Sequence, residues 1–166
     1  MLIAVISDTH MPRGARRLPE ECVERIAGAD LLLHAGDFSE LEVLREFEGI
    51  GPPLVGVCGN VDSSELRVRL PATRIVEVDG ARIALLHDAG PSRGRLDRMR
   101  RHFGRRAAAV VFGHSHLPLH ERAEDGFQIF NPGSPTERRR APVHTMGMAR
   151  VEDGELEFEL IPFTAS

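Results

Sequence analysis

The sequence predicts an α/β fold in which two stacked, mixed β-sheets are flanked by helices. Up to Gly113, helical segments separate short apolar segments that lack polar alternation, and beyond it the pattern becomes rich in strands. Unbroken apolar strands are typical of sheets covered on both faces, so helices are expected outside the sheets. The chain contains no repeat, low-complexity tract or linker, and we expect residues 1–166 to form a single domain.

Nine segments of the chain are predicted as strands. The first five are apolar throughout and comprise residues 2–6, 31–34, 54–57, 83–86 and 109–112. The last four comprise residues 117–121, 128–130, 145–151 and 156–161. Between the final two strands, Glu152-Asp153-Gly154 predicts a hairpin turn.

Three helices are predicted between these strands. The first begins at Pro19 and ends at Gly28. Ser39 and Glu42 have the spacing of a capping box at the start of the second, and the third ends at Gly104. The apolar stripes comprise Cys22, Val23 and Ile26 in the first helix, Leu41, Leu44 and Phe47 in the second, and Leu96, Met99 and Phe103 in the third.

Composition excludes several classes of protein. The chain is 42% hydrophobic and 28% charged, which is typical of a folded globular protein. Its net charge of −4 disfavours a dedicated nucleic-acid binder, so nucleic acid is expected only as a small nucleotide substrate. All the basic residues are Arg, which excludes Schiff-base chemistry. A phosphatase that uses an aspartyl-phosphate is also disfavoured, because it needs a Lys and a second Asp where this chain has His10.

The cysteines and the apolar segments bear on cellular location. Cys22 and Cys58 have neither CxxC spacing nor a disulfide framework around them, and we expect buried, reduced thiols. The apolar run at residues 2–6 is too short for a signal peptide or a membrane span. We therefore expect a cytoplasmic protein with no membrane partner.

Polar clusters directly follow the apolar strands. They are Asp8-Thr9-His10, Gly36-Asp37, Gly59-Asn60, His87 and Gly113-His114-Ser115-His116. Residues two apart on an extended segment point to the same side, so Asp8 and His10, and likewise His114 and His116, are expected to converge on one site. A glycine before Asp37, Asn60 or His114 permits a sharp exit from the strand.

These clusters contain seven potential metal ligands. Imidazole, carboxylate and amide groups together favour manganese, iron, zinc or nickel over calcium or magnesium. Seven ligands exceed the needs of one ion, whereas two ions about 3.5–4 Å apart, bridged by a carboxylate, would use them all. We expect two divalent metal ions, with manganese preferred over iron, zinc or nickel, and a site that hydrolyses phosphate esters.

The ordered blocks DxH, GD, GN, a strand-end His and GHxH resemble the calcineurin-like metallophosphoesterase superfamily over nearly the whole chain. Two further segments, Gly59-Asn60-Val61-Asp62 and Asn131-Pro132-Gly133-Ser134, together with the short length, resemble its small single-domain phosphodiesterase branch. The implied activity is hydrolysis of a small phosphate ester, and a phosphodiesterase is favoured over a monoesterase.

The resemblance also implies a role for each ligand. One metal would be held by Asp8, His10 and His116, the other by Asn60, His87 and His114, and Asp37 would bridge them. A hydroxide shared by the ions would attack phosphorus in line. Asp37 and Asn60 are the residues expected at the reaction itself, and Asn60 would also contact the substrate through its remaining amide group.

Two positions depart from the superfamily pattern. Val61 stands where protein phosphatases of the family have a histidine that assists the leaving group, which disfavours a protein phosphatase. The leaving-group acid is then either Asp62 or a solvent water. Asp88 follows His87 where close relatives tend to have Gly-His, and it either tunes the site or changes the loop.

Several other residues have both a structural and a functional interpretation. Arg138, in the run Arg138-Arg139-Arg140, binds a substrate phosphate or belongs to a solvated loop. The Asn131-Pro132-Gly133-Ser134 segment closes the site or forms a turn. His34 is expected to be a core residue that hydrogen-bonds a loop or a ligand. The remaining histidines, His102, His120 and His144, are expected to be surface or structural residues.

A non-catalytic function is the alternative. A relative of this fold serves as a scaffold in a sorting complex, so the resemblance also allows a metal-binding scaffold or protein-interaction module. The intact set of seven ligands favours the enzyme. The sequence leaves open whether the chain forms a homo-oligomer.

Overall fold

A computed structural model describes residues 1–163, which form ten strands and four α-helices. The strands are β1 (Leu2–Ile6), β2 (Leu31–His34), β3 (Leu54–Gly56), β4 (Thr73–Val78), β5 (Ala81–Leu86), β6 (Ala109–Val111), β7 (Leu119–Arg122), β8 (Gln128–Asn131), β9 (His144–Glu152) and β10 (Glu155–Phe163). The helices are α1 (Glu20–Ala27), α2 (Leu41–Glu48), α3 (Ser64–Arg69) and α4 (Arg95–Phe103).

The strands form two mixed five-stranded sheets. The first has the order β10-β9-β1-β2-β3, in which β1, β2 and β3 are parallel and β9 runs antiparallel to both β1 and β10. The second has the order β4-β5-β6-β8-β7, in which β5, β6 and β8 are parallel and the two edge strands are antiparallel to their neighbours.

Apolar side chains fill three layers around these sheets. Ile3 and Val5 of β1 pack with Ile83 and Leu85 of β5 in a cluster between the sheets. On the outer face of the first sheet, the cluster of Ala4 and Ile6 includes residues of α1 and α2, and α4 covers the outer face of the second sheet. Both faces of the central strands are therefore buried, which explains their unbroken apolar sequence. The predicted fold class is confirmed.

β4 and α3 lie where no strand or helix was predicted. β4 is an edge strand whose Thr73 and Arg74 are exposed, so its sequence lacks the apolar run of a central strand. The turn that follows it, Asp79-Gly80, has positive φ angles of 45° and 82°, as a two-residue hairpin requires. The predicted hairpin turn at Asp153-Gly154 is confirmed, with φ angles of 48° and 84°.

The predicted capping box at Ser39 is wrong. The residue that precedes α2 is Glu40, and no side chain caps the helix. Ser39 has a φ of 98°, and its backbone N–H donates to Asp62 Oδ1 at 2.8 Å. Ser39 thus belongs to the loop that carries Asp37, and this tertiary contact sets its conformation. A side-chain cap occurs instead at α3, where Ser63 accepts from the N–H of Leu66.

Both cysteines are free, and Cys22 is buried as expected, whereas Cys58 is only half-buried. Burial raises the pKa of the Cys22 thiol to about 12. Within residues 1–163, every helix is too short or too polar to span a membrane.

Candidate metal centre

The polar clusters meet at one end of the two sheets. They follow the carboxyl ends of the parallel strands β1, β2 and β3 in one sheet and of β5 and β6 in the other. Backbone contacts join the loops: Asp8 N–H donates to the Gly36 carbonyl at 3.0 Å, and Gly113 N–H donates to the His87 carbonyl at 2.9 Å. His114 N–H donates to the carboxylate of Asp8 at 3.0 Å, which connects the two sheets.

The first group of donor atoms comes from Asp8, His10 and His116, all of which are buried. Nε2 of His10 lies 3.2 Å from Nε2 of His116. Asp8 Oδ1 lies 3.4 Å from Nε2 of His116 and 3.9 Å from Nε2 of His10. Two imidazoles and a carboxylate therefore face a common point.

The second group comes from Asn60, His87 and His114. Oδ1 of Asn60 lies 3.0 Å from Nε2 of His87 and 3.0 Å from Nδ1 of His114. His87 is also held from behind, because its Nδ1 lies 2.8 Å from the Ala35 carbonyl. This contact fixes the ring orientation and leaves Nε2 to face the cluster.

Asp37 lies between the two groups. Its Oδ2 is 3.4 Å from Nε2 of His10 and 3.2 Å from Nε2 of His87. Its other oxygen, Oδ1, accepts a hydrogen bond from Val61 N–H at 3.0 Å. Asp37 thus has one oxygen held by backbone and one directed at both histidines, as a bridging ligand needs.

The spacing of the donor atoms fits divalent cations. Bonds of about 2.1 Å to a metal place neighbouring nitrogen and oxygen ligands roughly 3 Å apart, close to the spacing of these atoms. A cluster of three carboxylate and amide groups with four imidazoles, most of them buried, is also costly without a cation between them. The structure brings all seven predicted ligands together, and their binding of metal stays a prediction.

The backbone of the ligand loops is left-handed rather than extended. The φ angles of Asp8 and His10 are 56° and 45°, and those of His114 and His116 are 69° and 59°. The expectation that each pair sits on an extended segment is therefore wrong, although Asp8 and His10 do converge. His114 and His116 reach different donor groups. Such φ values are uncommon for residues with a Cβ and persist only where surrounding contacts hold them.

Glycine is required beside the ligands because the loops approach closely. A Cβ at Gly59 would overlap the Asp37 carboxylate, and one at Gly113 would overlap the Ser7 hydroxyl and the Asp8 carboxylate. Glycine is therefore needed before Asn60 and His114 because any Cβ there would clash, whereas the left-handed backbone that favours glycine occurs before Asp37, where Gly36 has a φ of 97°.

Asp37 and His87 form the charged pair of the metal-free site. Burial favours the neutral form of Asp37, but the hydrogen bond and charge of His87 outweigh it and lower the Asp37 pKa to about 2. Burial likewise disfavours protonated His87, yet the hydrogen bond to Asp37 and the charge of Asp8 raise its pKa to about 8. In the absence of metal, His87 therefore carries a proton near neutral pH.

In the first donor group, burial favours the neutral form of all three side chains. Burial raises the pKa of Asp8 to about 7. Burial also lowers the pKa of His10, and it lowers that of His116 to about 4, with the charge of Arg139 acting in the same direction. Both imidazoles are neutral at neutral pH, which is the form that binds a cation.

Asp62, one of the two candidates for the leaving-group acid, is a structural residue. Its buried carboxylate accepts hydrogen bonds from the N–H groups of Asp37 at 3.2 Å, Ser39 at 2.8 Å and Gly59 at 2.7 Å. These three contacts occupy both oxygens and hold the loops of Asp37 and Asn60 together. Solvent water is the remaining candidate.

Further polar side chains donate hydrogen bonds to backbone carbonyls of the ligand loops. The Asn131 amide donates to the Gly113 carbonyl at 3.0 Å, and the Ser134 hydroxyl donates to the Asp8 carbonyl at 2.8 Å. Thr136 Oγ1 donates to the Thr9 carbonyl at 2.6 Å. The Asn131-to-Ser134 segment thus both turns the chain and closes the back of the site. In the sequence, only the composition Asn-Pro-Gly-Ser indicated that this segment turns the chain or closes the site.

His34 is a core residue that hydrogen-bonds a loop, as expected. Gly36 N–H donates to its Nδ1 at 3.1 Å, so the proton lies on Nε2, which is 3.1 Å from the Thr9 hydroxyl. The ring stacks on Phe38 with centroids 3.5 Å apart. Burial lowers the His34 pKa well below its ordinary value, and the ring is neutral.

Val61, Asp88 and Arg138 lie at the edge of the site. The Val61 side chain is 37% exposed. Asp88 Oδ1 accepts from Gly90 N–H at 2.8 Å, and its Oδ2 is 3.9 Å from Nε2 of His114, so this carboxylate both shapes the loop and faces a ligand. Arg138 is exposed and donates to the Ala141 carbonyl at 2.8 Å within its own loop. Its contact with a substrate stays a prediction.

Glu137 and Arg16 reach the site although no sequence pattern indicated them. Oε2 of Glu137 lies 3.7 Å from Nε2 of His10, and its Oε1 lies 3.1 Å from Nη2 of Arg16. The Glu137 carbonyl contacts Nδ1 of His116. Arg16 also lines a groove of about 520 Å³, as does Met11, the residue that follows His10 in sequence.

The chain is similar to known phosphoesterases. The calcineurin-like phosphoesterase superfamily domain matches residues 1–154. A probable metallophosphoesterase from Methanothermobacter thermautotrophicus is 34% identical over 163 residues, and the match covers 97% of this chain and 92% of that protein.

Two solved structures share the fold. Vps29 from Entamoeba histolytica, complexed with zinc, superposes with a TM-score of 0.77 at 20% identity, covering 99% of this chain and 100% of that one. An archaeal phosphodiesterase superposes with a TM-score of 0.72 at 22% identity, covering 97% of this chain and 100% of that one.

The layered α/β fold with His, Asp and Asn donors at its strand ends is that of the metallophosphoesterase class. The chain belongs to the calcineurin-like phosphoesterase superfamily. The resemblance inferred from the sequence blocks is confirmed.

Proposed function

We propose that this protein is a two-metal phosphodiesterase that hydrolyses a small phosphate diester. The observation that carries the proposal is the position of Asp37, whose Oδ2 lies within 3.4 Å of a histidine from each donor group. Two donor groups that share one carboxylate oxygen fit two adjacent cations rather than one.

The residues divide between two positions. Asp8, His10 and His116 would hold one cation, Asn60, His87 and His114 the other, and Asp37 both. Cations bound there would lower the pKa of a water between them and offset negative charge on the phosphate oxygens. Manganese is our first candidate, and the same donors suit iron, zinc or nickel.

The side chain of Asn60 has a second function in this proposal. Its Oδ1 faces the His87 and His114 rings, which leaves the Nδ2 amino group free to donate to a phosphate oxygen. Asn60 is exposed, so a substrate can reach this group. Asn60 would therefore orient the substrate as well as hold a cation.

A diester is favoured over a monoester by the surroundings of the ligands. Val61 provides no imidazole to protonate a leaving group, and Asp62 is fully engaged with backbone donors. Arg16 also lines a groove whose other side chains are largely apolar, including Met11, Leu18 and Phe47, and this groove would receive the organic ester group. The leaving group would take its proton from solvent water.

The test combines metal analysis with a substrate panel. Metal content is measured on protein purified without added ions, and metal-free protein is then given manganese, iron, zinc or nickel singly. Each form is assayed with bis(p-nitrophenyl) phosphate, p-nitrophenyl phosphate and a cyclic nucleotide. We expect diester turnover that depends on metal, that Asp37→Asn abolishes and that Asp125→Asn, at an exposed site on the far loop, preserves. A clear preference for the monoester would contradict the diesterase.

The alternative is a metal-binding scaffold, and the similarity of the fold to that of Vps29 is the reason to test it. The same experiment separates the two functions. A fully metallated protein that turns over neither class of ester across the panel would favour the scaffold. Metal-dependent turnover that disappears in Asp37→Asn excludes it as the sole function.

A further inference from the structure

Glu137 is fixed at the edge of the first donor group by its backbone. Its N–H donates to the Ser134 hydroxyl at 2.8 Å, and its carbonyl contacts Nδ1 of His116. Both contacts come from residues that are themselves buried. The side chain therefore starts from a defined position next to the ligands.

The two carboxylate oxygens of Glu137 face different groups. Oε1 is paired with Arg16 at 3.1 Å, and Oε2 lies 3.7 Å from Nε2 of His10, the atom that faces the first cation position. The side chains of Glu137 and Arg16 are each 25% exposed, so solvent screens them only in part. The Oε2 end of the carboxylate thus faces the first donor group, beside which a substrate phosphate would lie under the proposed function.

We propose that Glu137 selects diesters by repelling the second negative charge of a phosphate monoester. This inference rests on the proposed function, because it assigns a specificity residue to the same site. A diester carries one negative charge, whereas a monoester carries almost two above its second pKa of about 6. A carboxylate at the site edge thus opposes the monoester more strongly than the diester.

Arg16 weakens the repulsion that Glu137 exerts on a monoester. Its guanidinium neutralises part of the Glu137 charge and holds the carboxylate in place. Without Glu137, Arg16 would be free to attract the second charge of a monoester. Without Arg16, the Glu137 charge would be less offset and the discrimination stronger.

The kinetic test compares kcat/KM for a monoester and a diester with the same leaving group at about pH 8. We expect Glu137→Gln to raise the monoester-to-diester ratio roughly tenfold, since like charges a few ångströms apart near a protein surface interact by more than the 1.4 kcal/mol equivalent to a factor of ten. Arg16→Met is expected to lower the ratio. The exposed Glu157→Gln on β10 serves as the matched control and leaves the ratio unchanged.

Two measurements without turnover keep the inference separate from the proposed function. Calorimetry on manganese-loaded protein should show inorganic phosphate, largely a dianion at about pH 8, binding roughly tenfold more tightly to Glu137→Gln, and dimethyl phosphate, a monoanion, with a smaller change. Metal content should be the same in Glu137→Gln and wild type.

The outcomes are distinct. If wild type hydrolyses neither ester, the proposed function fails, while the difference in phosphate binding still supports charge selection. If Glu137→Gln leaves both the ester ratio and phosphate binding unchanged, the charge-selection proposal is overturned. It is also overturned if Glu137→Gln loses bound metal, because Glu137 would then be a metal ligand.

Discussion

The carboxylate of Asp62 accepts a 2.7 Å hydrogen bond from the backbone N–H of Gly59. The same side chain accepts from the N–H groups of Asp37 and Ser39. One buried carboxylate thus joins the loops after β2 and β3, which carry Asp37 and Asn60. The placement of Asp37 and Asn60 therefore depends on a residue whose carboxylate bonds backbone N–H groups.

Replacement of Asp62 should therefore affect both folding and metal affinity. In Asp62→Ala, three backbone donors lose their acceptor, and each unpaired buried donor costs about 1–3 kcal/mol. We expect the free energy of unfolding of the metal-free protein to fall by about 3 kcal/mol or more, measured by urea denaturation. Asp125→Asn, on an exposed loop, should change it little. A stability equal to wild type would show that Asp62 does not hold these loops.

Gly113 is predicted to tolerate no side chain. A Cβ there would overlap the Asp8 carboxylate, so Gly113→Ala must displace a ligand or its loop. We expect loss of metal at the first cation position, measured as metal content per chain. The control is Gly28→Ala, whose Cβ would meet the Glu24 carbonyl at 3.4 Å, an ordinary contact. Retention of full metal content by Gly113→Ala would contradict this packing.

Metal binding is predicted to release protons. The pKa of Asp8 is about 7 and that of His87 about 8 in the metal-free site, and both groups must be deprotonated to act as ligands. Metal affinity should therefore rise as pH increases from about 6 to 8. Calorimetry in buffers of different ionisation enthalpy measures the protons released. Asp8→Asn should release fewer than wild type, and binding without proton release at about pH 7 would contradict the assignment.

The metal-free protein should lose stability as pH rises from about 6.5 to 8. The pKa of His87 is raised from its ordinary 6.5 to about 8, so its contribution is fully present below 6.5 and is lost as pH rises through 8. This difference amounts to about 2 kcal/mol. Asp8 acts in the same direction up to about pH 7. His87→Gln should flatten the pH dependence of the free energy of unfolding, and an unchanged slope would contradict the role of His87.

Much of the fold could be predicted because the central strands are buried on both faces. Segments such as Leu2–Ile6 and Leu31–His34 are apolar at every position or nearly so, and nothing but a covered strand fits their length and flanks. Thr73–Val78 could not be recognised in this way, since an edge strand with exposed residues lacks that pattern. The capping box at Ser39 was wrongly predicted because its spacing is a local sequence pattern, whereas the conformation of Ser39 is set by its hydrogen bond to Asp62.

Some residues of the candidate site could also be predicted from the sequence, and others could not. The seven ligand candidates could be found because each follows a strand end in a recognisable block. Glu137 and Asp62 could not be assigned, since their roles depend on contacts with His10, Arg16 and distant backbone groups that no spacing encodes. The left-handed backbone of Asp8 and His10 could not be predicted from the sequence either, because tertiary hydrogen bonds hold it.

Seven side chains from both sheets are proposed to hold two adjacent cations. The most direct measurement is an anomalous difference map from crystals grown with excess manganese. We expect two peaks about 3.5–4 Å apart, both in contact with Asp37. One should lie beside Asp8, His10 and His116, and the other beside Asn60, His87 and His114. A single peak, or none within reach of these side chains, would contradict it.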